Sequence, residues 1–129
     1  MTYSGTTTAT RWQPWDYRDT KWVSARNLVG YKVAALDGEI GKIDDATYDV
    51  GTSYLVVDTG PWIFGRKVML PAGVVRNVDH DRQVVHVERS KDQIKNSPEF
   101  DDSMLQDMKY RERLGTYYGE SGEGWYSGS

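Results

Sequence analysis

Two histidines stand close together in the second half of the chain, where a metal site could form. His80 and His86 are neighbours of Asp79, Asp81 and Glu88. Zinc needs three or four such ligands that converge on one point, and the residue types present would suit it. The alternative interpretation is a solvated turn followed by an outward-facing strand position. We favour this alternative because the spacing does not bring the ligands together, and we expect no metal site.

Three aspartates form a second acidic cluster, at positions 44, 45 and 49. Closely spaced carboxylates bind calcium when a glycine provides a sharp turn between them, but no glycine falls between these three. A strand explains them better, because the apolar alternation shifts by one residue between Ile43 and Ala46. One extra residue restores the phase. The sequence therefore predicts a β-bulge at Asp44-Asp45, with one aspartate capping local N–H groups.

The rest of the sequence lacks the motifs of common catalytic sites. It has no cysteine, no Gly-x-Ser-x-Gly, no phosphate-binding glycine loop and no His-Glu-x-x-His. No pair of carboxylates falls in a pattern that indicates an acid–base pair in a buried cleft. We therefore expect no enzymatic activity, no catalytic residue and no cofactor.

Charge and composition limit the partners and the compartment. A net charge of −3 disfavours non-specific binding to nucleic-acid phosphates, which requires an excess of lysine and arginine. The absence of cysteine fits a reducing cytoplasm, and residues 1–10 lack the apolar run of a secretory signal. No stretch approaches the roughly 20 apolar residues that span a bilayer. A soluble cytoplasmic protein without a membrane span is expected.

Residues 60–65 contain large apolar side chains between turn-forming residues. Trp62, Ile63 and Phe64 stand between a Gly-Pro pair and a second glycine. Such a segment either plugs the mouth of a barrel or forms an exposed contact patch. In the second case Trp62 and Phe64 act as aromatic anchors of the kind that dominate protein interfaces. All three residues are candidates for binding a partner.

Further aromatic residues flank the central region on both sides. Trp12 and Trp15 precede it, and Tyr117 and Tyr118 follow it. A plain linker does not need such side chains. Two interpretations remain open: the arms wrap around their own domain, or they cross to another copy or another protein. These four residues complete the set of candidate partner-binding residues.

Short segments separated by tight turns must position these residues. Six of them alternate between apolar and polar side chains or are continuously apolar, as is typical of strands. They span residues 31–36, 41–50, 54–58, 66–70, 74–79 and 84–88. The segment Tyr54 to Asp58 has the continuous apolar character of a strand buried on both faces. Asp37-Gly38 is a hairpin signal after the first strand.

Two helices are predicted after the strands. Ser90 and Ser103 each stand three residues before a glutamine, the pattern of a capping box that starts a helix. The first helix is short because Pro98 follows it, and the second extends to Tyr118. The chain therefore divides into a flexible aromatic-containing arm (1–21), a folded domain (22–101), a helical extension (102–118) and a Gly/Ser-rich tail (119–129).

The motifs of the folded domain resemble those of the PRC-barrel family. The matching segments are 28–33, 37–45, 54–60, 65–71 and 90–101, and the resemblance covers about residues 22–101, most of the chain. The stretch Tyr110 to Tyr118 is similar to the extension that follows many bacterial stand-alone PRC-barrels. The resemblance implies a mainly β fold: a small six-stranded PRC-barrel with a short helix after the last strand and a C-terminal helical extension.

The resemblance also implies a non-catalytic adaptor. Related barrels occur in the H subunit of the photosynthetic reaction centre and in the ribosome-maturation factor RimM, and the family has no shared catalytic residues. A modest core and unpaired strand edges further predict a homodimer that scaffolds a larger assembly with another protein of unknown identity. The alternative is an RNA-processing or ribosome-assembly-associated binding module similar to the RimM barrel, although the acidic charge argues against nucleic acid.

Overall fold

The computed structural model describes residues 13–19, 27–49, 51–60 and 66–119. Six strands in these ranges form one mixed sheet. They are β1 (Lys32–Ala35), β2 (Gly38–Ala46), β3 (Tyr54–Asp58), β4 (Lys67–Pro71), β5 (Val75–Asp79) and β6 (Val84–Val87). Two helices follow, α1 (Lys91–Lys95) and α2 (Met108–Tyr118). The mainly β fold with a short helix and a C-terminal helical extension is therefore confirmed.

Neighbouring strands in the sheet follow the order β4-β3-β2-β1-β6-β5. Four of the five pairings are antiparallel, whereas β1 and β6 pair in parallel, with Val33 opposite Val85. The outermost strands, β4 and β5, are joined by the short 3-10 turn Ala72–Val74. The described strands thus form a small barrel-like sheet whose ladder stays open between β4 and β5.

The bulge predicted in the second strand is present. Ile43 lies opposite Val57 and Asp45 lies opposite Val56, so Asp44 is the extra residue. The amide of Ala46 donates to the Asp45 carboxylate at 2.9 Å, which confirms that one aspartate caps the bulge. The carboxylate of Asp44 instead accepts a hydrogen bond from the Lys67 ammonium at 3.0 Å.

The core lies on the inner face of the sheet and also on the outer side of β3 and β4. Residues 54–57 are all buried, which confirms the prediction of a strand enclosed on both faces. Strand β4 is buried over four consecutive residues as well. A sheet exposed on one face would show alternation instead, so other parts of the chain must cover these two strands.

The first hairpin turns one residue earlier than predicted. Ala35 pairs with Gly38, so the turn consists of Leu36 and Asp37, and Gly38 already belongs to β2. The Asp37 carboxylate accepts the amide of Lys91 at 2.8 Å. The turn is therefore also a contact for the start of α1, a long-range constraint that the Asp-Gly signal does not contain.

The two helices begin differently from one another. Ser90 and Gln93 form the predicted capping box at the start of α1. The capping box predicted at Ser103 is wrong, because Asp107 is the N-cap of α2 and its carboxylate accepts two backbone amides of the first turn. Residues 102–104 form a separate 3-10 turn, and Asp101 caps it. The helix therefore begins at an aspartate that lies closer in the sequence to its buried residues than Ser103 does.

Candidate interaction site

Four of the predicted partner-binding residues, Trp12, Trp62, Ile63 and Phe64, lie outside the described residues. The roles of the Trp62-Phe64 segment as plug or contact patch therefore remain predictions. The other three, Trp15, Tyr117 and Tyr118, are described, and each of them contacts this chain's own domain.

The segment of residues 13–19 lies against the sheet. Tyr17 is buried, and its hydroxyl donates to the carbonyl oxygen of Thr47 at 3.0 Å. Its ring stacks on Tyr48 with centroids 6.0 Å apart. The carbonyl oxygen of Trp15 accepts the amide of Ser53 at 2.9 Å. Of the two arrangements considered for the N-terminal arm, these residues adopt the one that wraps around their own domain.

Tyr117 and Tyr118 fix the end of α2 to the rest of the domain. Tyr118 is fully buried, and its carbonyl oxygen accepts a hydrogen bond from the Arg89 guanidinium at 2.8 Å. Tyr117 is half-buried and donates its hydroxyl to the carbonyl oxygen of Gln93 at 2.5 Å. Burial raises the pKa of the Tyr118 hydroxyl. In this position Tyr118 has no surface to offer a partner while α2 stays docked.

Arg111, a residue that sequence reasoning did not single out, links the N-terminal segment to the barrel. Its guanidinium carbon lies 4.8 Å from the ring centroid of Tyr54 and 5.5 Å from that of Trp15. The Nη2 atom donates to the carbonyl oxygen of Leu105 at 3.2 Å. Aromatic faces attract a cation at these distances, so the rings compensate part of the cost of removing this charge from water. The three side chains form what we call the arginine cage.

A cleft opens beside the arginine cage. Its volume is about 280 Å³. The lining residues come from the loop after β2, the start of β3 and the first turns of α2, and they are Thr47, Asp49, Thr52, Tyr54, Gln106, Met108 and Arg111. Met108 is 67% exposed, which is unusual for a large apolar side chain and leaves its thioether available for contact.

Hydrogen bonds within the loop shape one wall of the cleft. The Thr47 hydroxyl donates to the carbonyl oxygen of Thr52 and accepts the amide of Tyr54. The carbonyl oxygen of Asp49 accepts the Ser53 hydroxyl at 2.7 Å. These local bonds hold this wall of the cleft in place.

One histidine of the cluster considered as a metal site contacts a tyrosine instead. The Tyr31 hydroxyl and the His80 Nδ1 atom are 2.8 Å apart, and their rings meet edge to face. His80 is half-buried, whereas the next three residues of its turn are exposed, so most of the turn is solvated as expected. Over the described ranges, no three histidine, aspartate or glutamate side chains converge as metal ligands.

Sequence comparison assigns the fold to a known family. The profile of the PRC-barrel domain matches residues 23–94, which is more than half of the 129 residues. All six strands fall inside the matched range. The chain therefore belongs to the PRC-barrel domain family, as its motifs indicated. Comparison with curated proteins finds no match.

The matched range and the cleft overlap only in part. Strand β3 and the loop before it belong to the family domain, whereas Gln106, Met108 and Arg111 lie in the extension that follows it. The cleft is thus built between the matched domain and the segment that follows it. Neither helix in the described ranges is long and apolar enough to cross a membrane.

Proposed function

We propose that this chain is a non-catalytic protein-interaction module, an adaptor that associates with itself and scaffolds a larger assembly. The observation that carries the proposal is the cleft, where an exposed methionine lies next to a caged arginine and a tyrosine. Methionine, arginine and aromatic residues are enriched at the centres of protein interfaces, whereas lysine and glutamate are depleted there. The Thr47 wall and the Arg111 guanidinium are already held in place, which lowers the entropy cost of binding.

Membership of the PRC-barrel family supports the same function, because the family resemblance implies adaptor work and brings no shared catalytic residues. The cysteine-free sequence is compatible with a reducing compartment, so we place the module in the cytoplasm as part of the proposal.

Self-association has a separate basis in the sheet. The outermost strands β4 and β5 each have an edge that no other described strand covers, and such edges pair readily with another chain. Two-fold symmetric dimers are the commonest form of self-association. The proposal therefore includes a homodimer, with Trp62 and Phe64 as further candidates for the interface.

Sedimentation equilibrium tests the homodimer directly. We expect a species of twice the 14.7 kDa chain mass at micromolar concentration. Trp62→Ala should shift the equilibrium towards the monomer, and Glu112→Gln, an exposed change on α2, should leave it unchanged. A monomer at all concentrations would contradict self-association and leave the adaptor proposal dependent on a different partner.

A further inference from the structure

The guanidinium of the arginine cage has no counter-charge among the residues that the structure describes, which a purely structural role does not require. Among the described residues no carboxylate comes within ion-pairing distance of Arg111, and its guanidinium makes one hydrogen bond there, from Nη2 to the carbonyl oxygen of Leu105. Its Nε atom is buried and has no acceptor in the same part of the chain. A half-buried guanidinium is costly to leave without an anion, even when aromatic rings cover its faces.

The cleft beside the cage offers a place from which an anion can reach this guanidinium. Arg111 lines the cleft together with Met108, so a cation and an exposed apolar side chain share one opening. The volume of about 280 Å³ accommodates one or two amino-acid side chains. One ligand could therefore place an anionic group against Arg111 and, from an adjacent position, an apolar group against Met108.

Asp49, which also lines the cleft, narrows the choice of anion. A polyanion such as a nucleic-acid backbone would place negative charge close to this carboxylate, and like charges at short range repel. A peptide with one carboxylate reduces the repulsion, because it brings a single negative charge that Arg111 neutralises and its backbone N–H groups can donate to Asp49. Arginine is also well suited to hold a carboxylate through two parallel hydrogen bonds.

We propose that the cleft binds a segment of a partner protein in which an acidic residue stands next to an apolar one. The carboxylate of the acidic residue binds the Arg111 guanidinium, and the apolar side chain packs on Met108. This inference rests on the proposed interaction function and specifies the chemistry of the partner at one site.

The test uses the full chain labelled with ¹⁵N and ¹³C-methyl methionine, with N-acetyl-Leu-Glu-amide as the probe. We expect saturable shifts of the Met108 methyl and Arg111 Nε–H signals, with an affinity in the millimolar range suited to so small a ligand. The shifts should weaken as sodium chloride is added, because salt screens the ion pair. N-acetyl-Leu-Gln-amide, which has the same shape without the charge, should bind at least about tenfold more weakly.

Matched variants separate the site from the fold. Arg111→Met should weaken the binding of the acidic peptide about tenfold or more, while Arg113→Met, an exposed change two residues further along α2, should leave it unchanged. Because Arg111→Met also removes the contacts of the cage, Met108→Thr provides a second variant at a site 67% exposed, and it should weaken binding with no loss of thermal stability.

Three results would overturn the proposal. The first is the absence of shifts at these signals, or equal shifts with the glutamine peptide. The second is tighter binding of inorganic phosphate than of the acidic peptide, which would point to a phosphate ligand. The third is binding that appears only in the variant with Glu120→Gln and Glu123→Gln, since the chain's own tail would then be the occupant. Sedimentation of the same sample distinguishes failure of this site from failure of the interaction function, because self-association does not require the peptide.

Discussion

At the scale of single residues, Gly41 shows most directly how the backbone limits the sequence. Its φ angle is 149°, a value that other residues rarely adopt. A Cβ atom at this position would lie 2.0 Å from the carbonyl oxygen of Asp58 in the paired strand β3. The absence of a side chain therefore allows β2 and β3 to approach each other where their ladder begins.

Gly41→Ala should lower the free energy of unfolding by at least about 3 kcal/mol, because it combines backbone strain with a collision against main-chain atoms. Gly30→Ala is the matched control. Gly30 also has a positive φ, of 91°, but open space surrounds its missing side chain, so only the strain of roughly 1 kcal/mol applies. Urea unfolding of both variants measures the difference, and equal losses would contradict the collision.

Residue types also explain why the arginine cage was not predicted. The helical pattern places Arg111 on the same side of α2 as Met108 and Tyr118, but an arginine in an amphipathic helix is usually solvated and the pattern does not indicate that rings cover it. The rings belong to Trp15 and Tyr54, which are distant in the chain and meet only after the sheet has formed. The exposed Met108 gave no signal either, because exposure of an apolar side chain depends on how the helix packs.

At the scale of secondary-structure elements, the close contact between the N-terminal segment and α2 depends on Gly115. A Cβ atom on Gly115 would lie 3.2 Å from the indole nitrogen of Trp15 and 3.6 Å from the Pro14 ring. Glycine inside a helix is less stable than alanine by roughly 1 kcal/mol. The helix nevertheless has a glycine at the point where the N-terminal segment crosses it.

The effect of Gly115→Ala on the free energy of unfolding should therefore depend on the residue at position 15. In a Trp15→Ala background the alanine should stabilise the protein by about 1 kcal/mol through helix propensity. With Trp15 present the gain should shrink or change sign, since the indole must move. A double-mutant cycle by urea unfolding measures this coupling, and Thr116→Ala, an exposed neighbour, should give no coupling. Additivity within about 0.3 kcal/mol would contradict the contact.

The elements that the sequence predicted well are those defined by local patterns. Alternation and turn residues located all six strands, and the phase shift after Ile43 located the bulge. The start of α2 was predicted incorrectly because two aspartates and a serine compete as caps within a few residues, and the packing of Tyr110, Leu114 and Tyr118 decides between them. The position of residues 13–19 could not be predicted, since their hydrogen bonds join residues far apart in the chain.

At the scale of the whole molecule, buried tyrosines make the free energy of unfolding fall at alkaline pH. Burial raises the pKa of the hydroxyls of Tyr17, Tyr110 and Tyr118 above the ordinary value of 10.0. The folded state keeps these protons at a pH where the unfolded chain has lost them. The stabilisation is complete below pH 10.0 and is lost as the pH rises above that value.

We therefore expect that ionisation of these tyrosines does not affect the free energy of unfolding near neutral pH. Above pH 10.0 the free energy of unfolding should fall steeply, by up to about 1.4 kcal/mol per pH unit for each residue. Urea titrations across the alkaline range, read by circular dichroism, measure this slope. Tyr17→Phe removes one titrating hydroxyl and should make the slope shallower. Ionisation of all tyrosines near their ordinary pKa with the fold intact would contradict the burial.

The parallel pairing of β1 with β6 has a kinetic consequence. Strands β1 to β4 are successive neighbours and can pair through short loops, as can β5 and β6. The contact between Val33 and Val85 instead requires two distant parts of the chain to meet, and the entropy of that closure opposes it. We expect this seam to form after the folding transition state. Stopped-flow measurements on Val85→Ala should then show faster unfolding at a nearly unchanged folding rate, whereas Leu55→Ala, within the local meander, should slow folding.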